Sequence, residues 1–368
     1  MTYKVPFVNI PEHYSQLKKE ILAAIDSVLS RGDLILRKDV EEFEKNLASF
    51  IGVKYAVGLN SGTDALFLSL KAAGIGPENE VITVAHTFAA SVAVIIHCGA
   101  KPILVDVGDD FLMDVDKVEP LINQNTKAII PVHLNGRVCD MEKLMALAKK
   151  YNLIIIEDAA QALGAKFDGK TAGSLGLAGC FSFYPFKILG AFGDAGALTT
   201  NDQSIAEKIR LLRDHGQKTK TEIVCYGWNS RLDNLQAAIL NIKFKYLPKW
   251  IERRREVADL YNKGLSDIPE VKLPPKSDGR HFDVYQNYVL RVKKRDELFN
   301  FLKENGVETL IKDSIALHHH PALGLSDFSL PYTEQLAKEV ISLPVYPELD
   351  NEQVEYVIDC VKGFYSPR

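Results

Sequence analysis

The sequence predicts an α/β protein: a mostly parallel central sheet sandwiched by helices, followed by a smaller C-terminal α+β part. Three observations point there. Between Tyr55 and Thr200, short apolar runs alternate with segments of helical periodicity. The runs are continuously apolar, as strands covered on both faces are, instead of alternating like half-exposed strands. The distinctive polar residues follow directly on these runs, where the carboxyl ends of parallel strands would converge. A chain of 368 residues is long enough for two domains. Residues 1–245 are expected to form the larger one and 246–368 the smaller.

The elements follow in order. Tyr14, Leu17, Ile21, Ile25 and Val28 fall at helical spacing, as do Val40, Phe43, Leu47 and Phe50, with a turn at Ser30–Asp33 between the two helices. Strands are expected at Tyr55–Leu59, Val81–Val84, Pro102–Asp106, Ala128–Val132 and Leu153–Ile156. Covering helices are expected at Thr63–Ala73, Ser91–His97, Val115–Ile122 and Met141–Lys150. Cys180–Phe183 and Gly196–Thr200 read as two further strands. Helical segments follow near Ile205–His215, over Asn229–Leu247 and over Leu247–Leu265. The turn-rich stretch Pro274–Gly279 then marks a linker. Beyond it a strand (Tyr285–Val292), a helix (Arg295–Asn305), a strand (Glu308–Ile311) and a helix (Asn351–Val361) make up the C-terminal part.

Composition removes several function classes. The formal charge of −4 offers no general attraction for nucleic acid or an anionic membrane. The five cysteines, at 98, 139, 180, 225 and 360, are widely spaced and never paired as CxxC, so neither a disulfide framework nor a zinc site is expected. Met1–Ile10 lacks the pattern of a signal peptide, and no apolar stretch is long enough to span a bilayer, which makes the cytoplasm the expected compartment.

The chemistry is expected on one rim of the sheet. Lys187 lies on the connection between two strands, inside the run Cys180–Gly196, CFSFYPFKILGAFGDAG. A lone lysine is ordinarily a solvated charge and becomes a nucleophile only where its surroundings lower its pKa. Ser61-Gly62-Thr63, after a strand and before a helix, suits an anion, although an ordinary helix cap reads the same way. Asp158 ends an apolar strand, where a carboxylate needs a cationic partner or several donors; a structural ion pair is the alternative. With Phe88 on the neighbouring strand end, this set fits pyridoxal 5′-phosphate. That cofactor needs a lysine, an acidic partner for its pyridine nitrogen and a phosphate site. Phe88 would stack on the ring and Gln161 would bond its hydroxyl. A Rossmann reading is weaker, because Gly190, Gly193 and Gly196 are spaced GxxGxxG and Lys187 would be idle.

At these residues the sequence resembles the DegT/DnrJ/EryC1/StrS aminotransferases, sugar-nucleotide enzymes of the fold-type I pyridoxal-phosphate class. The resemblance runs from about Val5 to Val361. It rests on Ser61–Leu66, Thr87-Phe88, Gly99-Ala100, Val105-Asp106, Glu157–Gln161, Phe181–Lys187, Gly193–Gly196, His215-Gly216, Asn229–Asp233, Gln236–Ala238 and Leu343-Pro344. It implies that Lys187 is the Schiff-base lysine and proton shuttle, Asp158 the partner of the pyridine nitrogen, Gln161 the neighbour of the ring hydroxyl and Phe88 the stacking aromatic. By the same resemblance Gly62, Thr63 and Ser182 hold the phosphate, together with Asn229 from the second subunit of a homodimer with shared sites. His318 falls where many members have a histidine near the sugar.

The implied activity is transfer of an amino group, from glutamate, to a nucleotide-linked keto sugar, with Asn229–Asp233 and Leu235–Ala238 leaning to C3 over C4. A sugar dehydratase of the same fold is the nearest alternative, but those relatives typically carry histidine at the lysine position. A non-catalytic regulator that kept the fold is the alternative from another class. Departures cluster in the presumed sugar pocket: Ile188 for a frequent asparagine, Arg137-Val138-Cys139 for Gln-Pro-Ala, Lys312-Asp313 for His-Tyr, and Leu323 for tyrosine. Arg137, Arg231 and Lys312 are therefore candidates for the substrate, the arginines through the fit of a guanidinium to diphosphate oxygens. A metal site at His318-His319-His320 is not expected, because adjacent side chains should point apart.

Overall fold

The computed structural model describes residues 3–312 and 314–365. Two helices, α1 (Ile10–Arg31) and α2 (Lys38–Ile51), lead into β1 (Tyr55–Leu59) and α3 (Gly62–Ala72). Then come β2 (Glu80–Val84), α4 (Ala90–His97), β3 (Lys101–Val105), β4 (Thr126–Ile129), α5 (Met141–Tyr151) and β5 (Ile154–Asp158). A small hairpin of β6 (Lys166–Phe167) and β7 (Lys170–Thr171) precedes β8 (Ala178–Ser182) and β9 (Gly196–Thr200). Helix α6 (Gln203–Leu212) is followed by a second hairpin, β10 (Gln217–Thr219) and β11 (Glu222–Ile223), then by α7 (Asn234–Phe244) and α8 (Leu247–Leu265). The C-terminal part holds β12 (Val271–Lys272), β13 (His281–Phe282), β14 (Tyr288–Val292), α9 (Arg295–Glu304), α10 (Pro331–Glu339), β15 (Val340–Leu343) and α11 (Asn351–Tyr365).

The main sheet has seven strands in the order β1-β9-β8-β5-β4-β2-β3. β9 runs antiparallel to both its neighbours, and the other pairs are parallel. One apolar layer, contributed by α1, α2, α5 and α7, covers one face, and α3, α4 and α6 cover the other. This is why the strand interiors are continuously apolar in place of alternating: both faces of the sheet are covered. A separate core gathers around Tyr261, Tyr288, Leu298, Ile341 and Val357. Helix α8 passes from one core to the other, with Trp250 and Ile251 packed under the main sheet and Val257 to Leu265 in the C-terminal core. No helix among the described residues is long and apolar enough to cross a membrane.

Four expectations change. Val115–Ile122 is not a helix but two short 3-10 turns, Val115–Lys117 and Glu119–Leu121; Pro120 has no N–H to donate and blocks a continuous helix. Glu308–Ile311 is not a strand. Its neighbourhood makes only single bridges, Val307 to Val5 and Leu310 to Ser342, and the strand beside β14 is Val340–Leu343. The helix expected from Asn229 begins at Asn234, because Asn229 and Arg231 are extended and bridge Asp214 and Leu59. The strand expected from Tyr285 begins at Tyr288, since Tyr285 has a φ of 49° that no strand accommodates.

Candidate active site

Beyond the carboxyl ends of β1, β2, β5 and β8 lies a cavity of about 560 Å³. Gly62, Thr63, Phe88, Asp158, Gln161, Ser182, Lys187 and Lys312 all line it. Seven of the eight follow directly from strand ends separated by up to 125 residues of chain (62 to 187), which a parallel sheet brings to one edge.

Its floor is the start of α3. Ser61 caps the helix, its Oγ accepting from Asp64 N–H at 3.0 Å. The N–H groups of Gly62 and Thr63 have no partner within the helix and, with the positive helix end, form an anion cup. So Ser61-Gly62-Thr63 is an ordinary cap and a cup at once. Three backbone segments meet here at distances no side chain would permit. A Cβ on Gly62 would lie 2.9 Å from Ser182 Cβ, and one on Gly196 would lie 2.2 Å from the carbonyl carbon of Ser61. The contact brings Ser182, at the end of β8, to the rim of the cup.

Asp158 is buried at the end of β5. Oδ2 accepts from Ser91 Oγ at 2.7 Å and Oδ1 from Ala160 N–H at 3.2 Å. Among the described residues no side-chain cation pairs with it, so the structural ion pair is not what holds this carboxylate. Gln161 is oriented by its neighbours: Oε1 accepts from Asn135 N–H at 2.9 Å and from Asn287 Nδ2 at 3.1 Å, which leaves Nε2 as the free end. Phe88 is 63% exposed on the pocket wall, where its ring is available to stack on a flat ligand.

Lys187 follows a tight turn, its N–H bonded to Tyr184 C=O at 2.8 Å. The loop around it is held by side chains from distant elements. Gln286 accepts from Ile188 N–H at 2.9 Å and donates to Phe186 C=O at 3.0 Å. Gln236 brackets Phe192 in the same way, at 3.0 and 2.9 Å, and Lys243 Nζ donates to Gly190 C=O. Burial pushes the Lys187 amine down to about 8, the Lys312 charge adds to this, and Asp158 opposes it. A lysine so placed is partly neutral near physiological pH and can act as nucleophile and base. Cup, buried carboxylate and depressed lysine together suit pyridoxal phosphate, whose phosphate, ring nitrogen and aldehyde would each find a complementary group.

Other expected residues lie elsewhere in this chain. Asn229 is exposed and does not line the cavity. Arg231 is turned away to Asp214 at 2.9 Å, and Arg137 to Asp283 at 2.6 Å, so each is engaged in an ion pair instead of facing the pocket. His318 is fully buried outside the cavity, 3.3 Å from Glu334. The expectation that His318 and His319 point apart is corrected: their rings lie 4.3 Å apart, and both approach Glu334. Glu334 Oε1 also accepts from Leu330 N–H at 3.1 Å, which accounts for the cluster as a closure of the start of α10. Asp313 lies outside the described residues.

Sequence reasoning missed Ser91, Gln286, Asn287 and Arg254. Ser91 carried a signal, standing four residues after Thr87 on the helix that follows β2, and Thr87 Oγ1 is bonded to it at 2.9 Å. Gln286 and Asn287 are a polar pair at the head of an apolar run, which is a signal only for a strand boundary.

Comparison with known proteins gives a consistent result. The model of the DegT/DnrJ/EryC1/StrS aminotransferase family matches residues 15–362. The "pleiotropic regulatory protein" of Geobacillus stearothermophilus is 44% identical over 366 residues, covering 98% of this chain and 98% of that protein. The dTDP-3-amino-3,4,6-trideoxy-alpha-D-glucose transaminase of Streptomyces venezuelae is 40% identical over 368 residues, covering 98% and 96%. Among solved structures, NtdA of Bacillus subtilis with bound cofactor PMP superposes with a TM-score of 0.91 at 31% identity, covering 98% of this chain and 85% of that one.

Proposed function

The chain belongs to the DegT/DnrJ/EryC1/StrS aminotransferase family, and on that premise we propose that it moves an amino group from L-glutamate to a nucleotide-linked keto sugar, at C3 in preference to C4. The observation that carries the reading is the convergence of Lys187, Asp158 and the Gly62–Thr63 cup in one cavity. The family is pyridoxal-phosphate dependent, and the cofactor, when bound, supplies an electron sink for the negative charge formed at the substrate carbon.

The residues divide the remaining work. Gly62, Thr63 and Ser182 hold the phosphate, Asp158 keeps the pyridine nitrogen protonated, and Gln161 Nε2 donates to the ring hydroxyl. Phe88 covers one ring face. Lys187 Nζ would hold the cofactor at rest and, once released, would carry a proton between the substrate carbon and the cofactor C4′. Lys312, on the cavity wall, meets an anionic group of the substrate. The preference for C3 is supported by the Asn229–Ala238 pattern and by the name of the Streptomyces venezuelae relative, which places its amine at carbon 3.

The same proposal includes a homodimer. Asn229 is exposed at the end of a segment whose apolar side chains are also exposed, Ile223 at 68% and Tyr226 at 99%. A second copy covering this segment would bury them and bring its own Asn229 to the phosphate. A boundary near residue 245, between a cofactor-binding domain and a C-terminal one, is supported by the two cores that α8 joins. A cytoplasmic location is supported by five free cysteines.

The experiment is a titration of the purified protein with pyridoxal phosphate. Visible absorbance should appear, bleach on adding glutamate and return with a keto-sugar nucleotide, whose product is then assigned by NMR. The name of the Geobacillus stearothermophilus relative favours a second reading, a regulator that binds cofactor without turnover. Colour that glutamate does not bleach would select that reading. No colour at all would overturn both.

A further inference from the structure

Gln286 belongs to the segment between β13 and β14, outside the seven-stranded sheet, yet its amide meets the loop that carries the reactive lysine. Oε1 takes the N–H of Ile188 and Nε2 gives a hydrogen to the C=O of Phe186, at 2.9 and 3.0 Å. The two peptide groups flanking Lys187 are therefore held by one side chain, in the donor-and-acceptor pairing that a neighbouring strand would supply. The backbone of Gln286 is itself pinned. Arg254, buried on α8, reaches the carbonyls of Tyr285, Gln286 and Val345 through Nη1 at 3.1, 3.4 and 2.7 Å. On the other side Gly136 packs so closely that a Cβ there would lie 2.8 Å from the nitrogens of both Tyr285 and Gln286.

This places Gln286 in a different position from Gln236, which clips Phe192, further along the same loop, from α7. Gln236 ties the loop to a helix of the main sheet. Gln286 ties the lysine's own turn to the C-terminal part of the chain, through a contact that spans 98 residues. We propose that Gln286 is a positioning residue for Lys187, holding the lysine turn against the pocket wall so that Nζ stays out of water and within reach of the groups around Asp158. A clip that served only to satisfy backbone groups would stabilise the loop without altering the amine. A positioning clip must alter the amine, because the environment of Nζ depends on where the turn lies.

The proposal rests on the reading of Lys187 as the reactive amine, and its test keeps the two separable. Trace acetylation of the cofactor-free protein across the neutral to alkaline range, followed by mass spectrometry of the Lys187 peptide, reads the titration of that amine directly. Wild type should show a midpoint of about 8. Gln286→Leu should raise it by about one unit, so that labelling below the midpoint falls about tenfold, while Gln236→Leu leaves it in place. Gln286→Met, unbranched like glutamine, replaces the leucine variant if that protein fails to fold by circular dichroism. An unmoved midpoint in a folded Gln286 variant overturns the proposal, and so does an equal shift in Gln236→Leu. Failure of wild type to take up pyridoxal phosphate with colour would sink the reading of the site, an outcome that the acetylation result neither requires nor hides.

Discussion

Ser91 donates its hydroxyl to Asp158 Oδ2 at 2.7 Å, from the first turn of α4, which follows the loop after β2. Both groups are buried, so this bond is not exchanged for water. Removing it with Ser91→Ala leaves a buried carboxylate short of one donor. A hydrogen bond to a charged group contributes about 1.5–3 kcal/mol, so affinity for pyridoxal phosphate is expected to fall about tenfold to a hundredfold. Absorbance titration of the variant measures this; unchanged affinity would mean that Ser91 does not hold Asp158 for the ring.

Lys187 makes stability depend on pH in a definite direction. Its amine is held at about 8 in the folded protein, below the ordinary lysine value, chiefly by burial. The unfolded chain therefore binds more protons between the two values, and stability rises with pH across that window. Below about 8 both states are protonated and the cost of the buried charge is complete. Lys187→Met is expected to melt several degrees above wild type near neutral pH, with the gap closing toward the ordinary lysine range. Thermal melts of the cofactor-free proteins across that window decide it; a gap that widens with pH contradicts the burial account.

Gly196 is required by close approach. Alanine there would put a methyl 2.2 Å from the carbonyl carbon of Ser61 and 2.6 Å from Gly62 N, both backbone atoms that cannot step aside alone. The strain is of the overpacking kind, about 1–3 kcal/mol or more, and it falls on the backbone at the start of α3, the proposed phosphate site. Gly196→Ala should lower the melting temperature and weaken pyridoxal phosphate binding together. Loss of one without the other would separate the cup from the sheet edge.

The shared site of the proposed dimer is tested by complementation. Lys187→Ala and Asn229→Ala chains, each of low activity alone, should regain part of it when mixed, because one site of the hybrid then carries both residues. Mixed dimers that form but stay inactive would count against Asn229 crossing to the second copy.

Much of the lining of the cavity is legible in the sequence alone, because a parallel sheet imposes a rule: residues just past apolar runs meet at one edge. Gly62, Thr63, Phe88, Asp158, Gln161 and Ser182 obey it. Where sequence and structure part, the causes are local. Pro120 interrupts an otherwise helical pattern over 115–122, and its missing N–H outweighs the apolar spacing. Thr309 and Leu310 have strand-like residue types, but Leu310 meets the outer edge of β15 only through a single bridge to Ser342, too short a pairing to make a strand. Arg137 and Arg231 have the chemistry of diphosphate ligands, and nothing in the sequence reveals that Asp283 and Asp214 engage them.

The sequence by itself determined the alternation of buried strands and covering helices, and with it the edge on which Lys187 and Asp158 meet, since both follow from short-range periodicity and one general property of parallel sheets. The tertiary structure decided which distant side chains complete that edge. Gln286 reaches the lysine turn across about a hundred residues, Arg254 gathers the carbonyls behind it, and Ser91 supplies the donor to Asp158. Such contacts depend on how whole elements pack, and packing leaves no mark in the local spacing of residues.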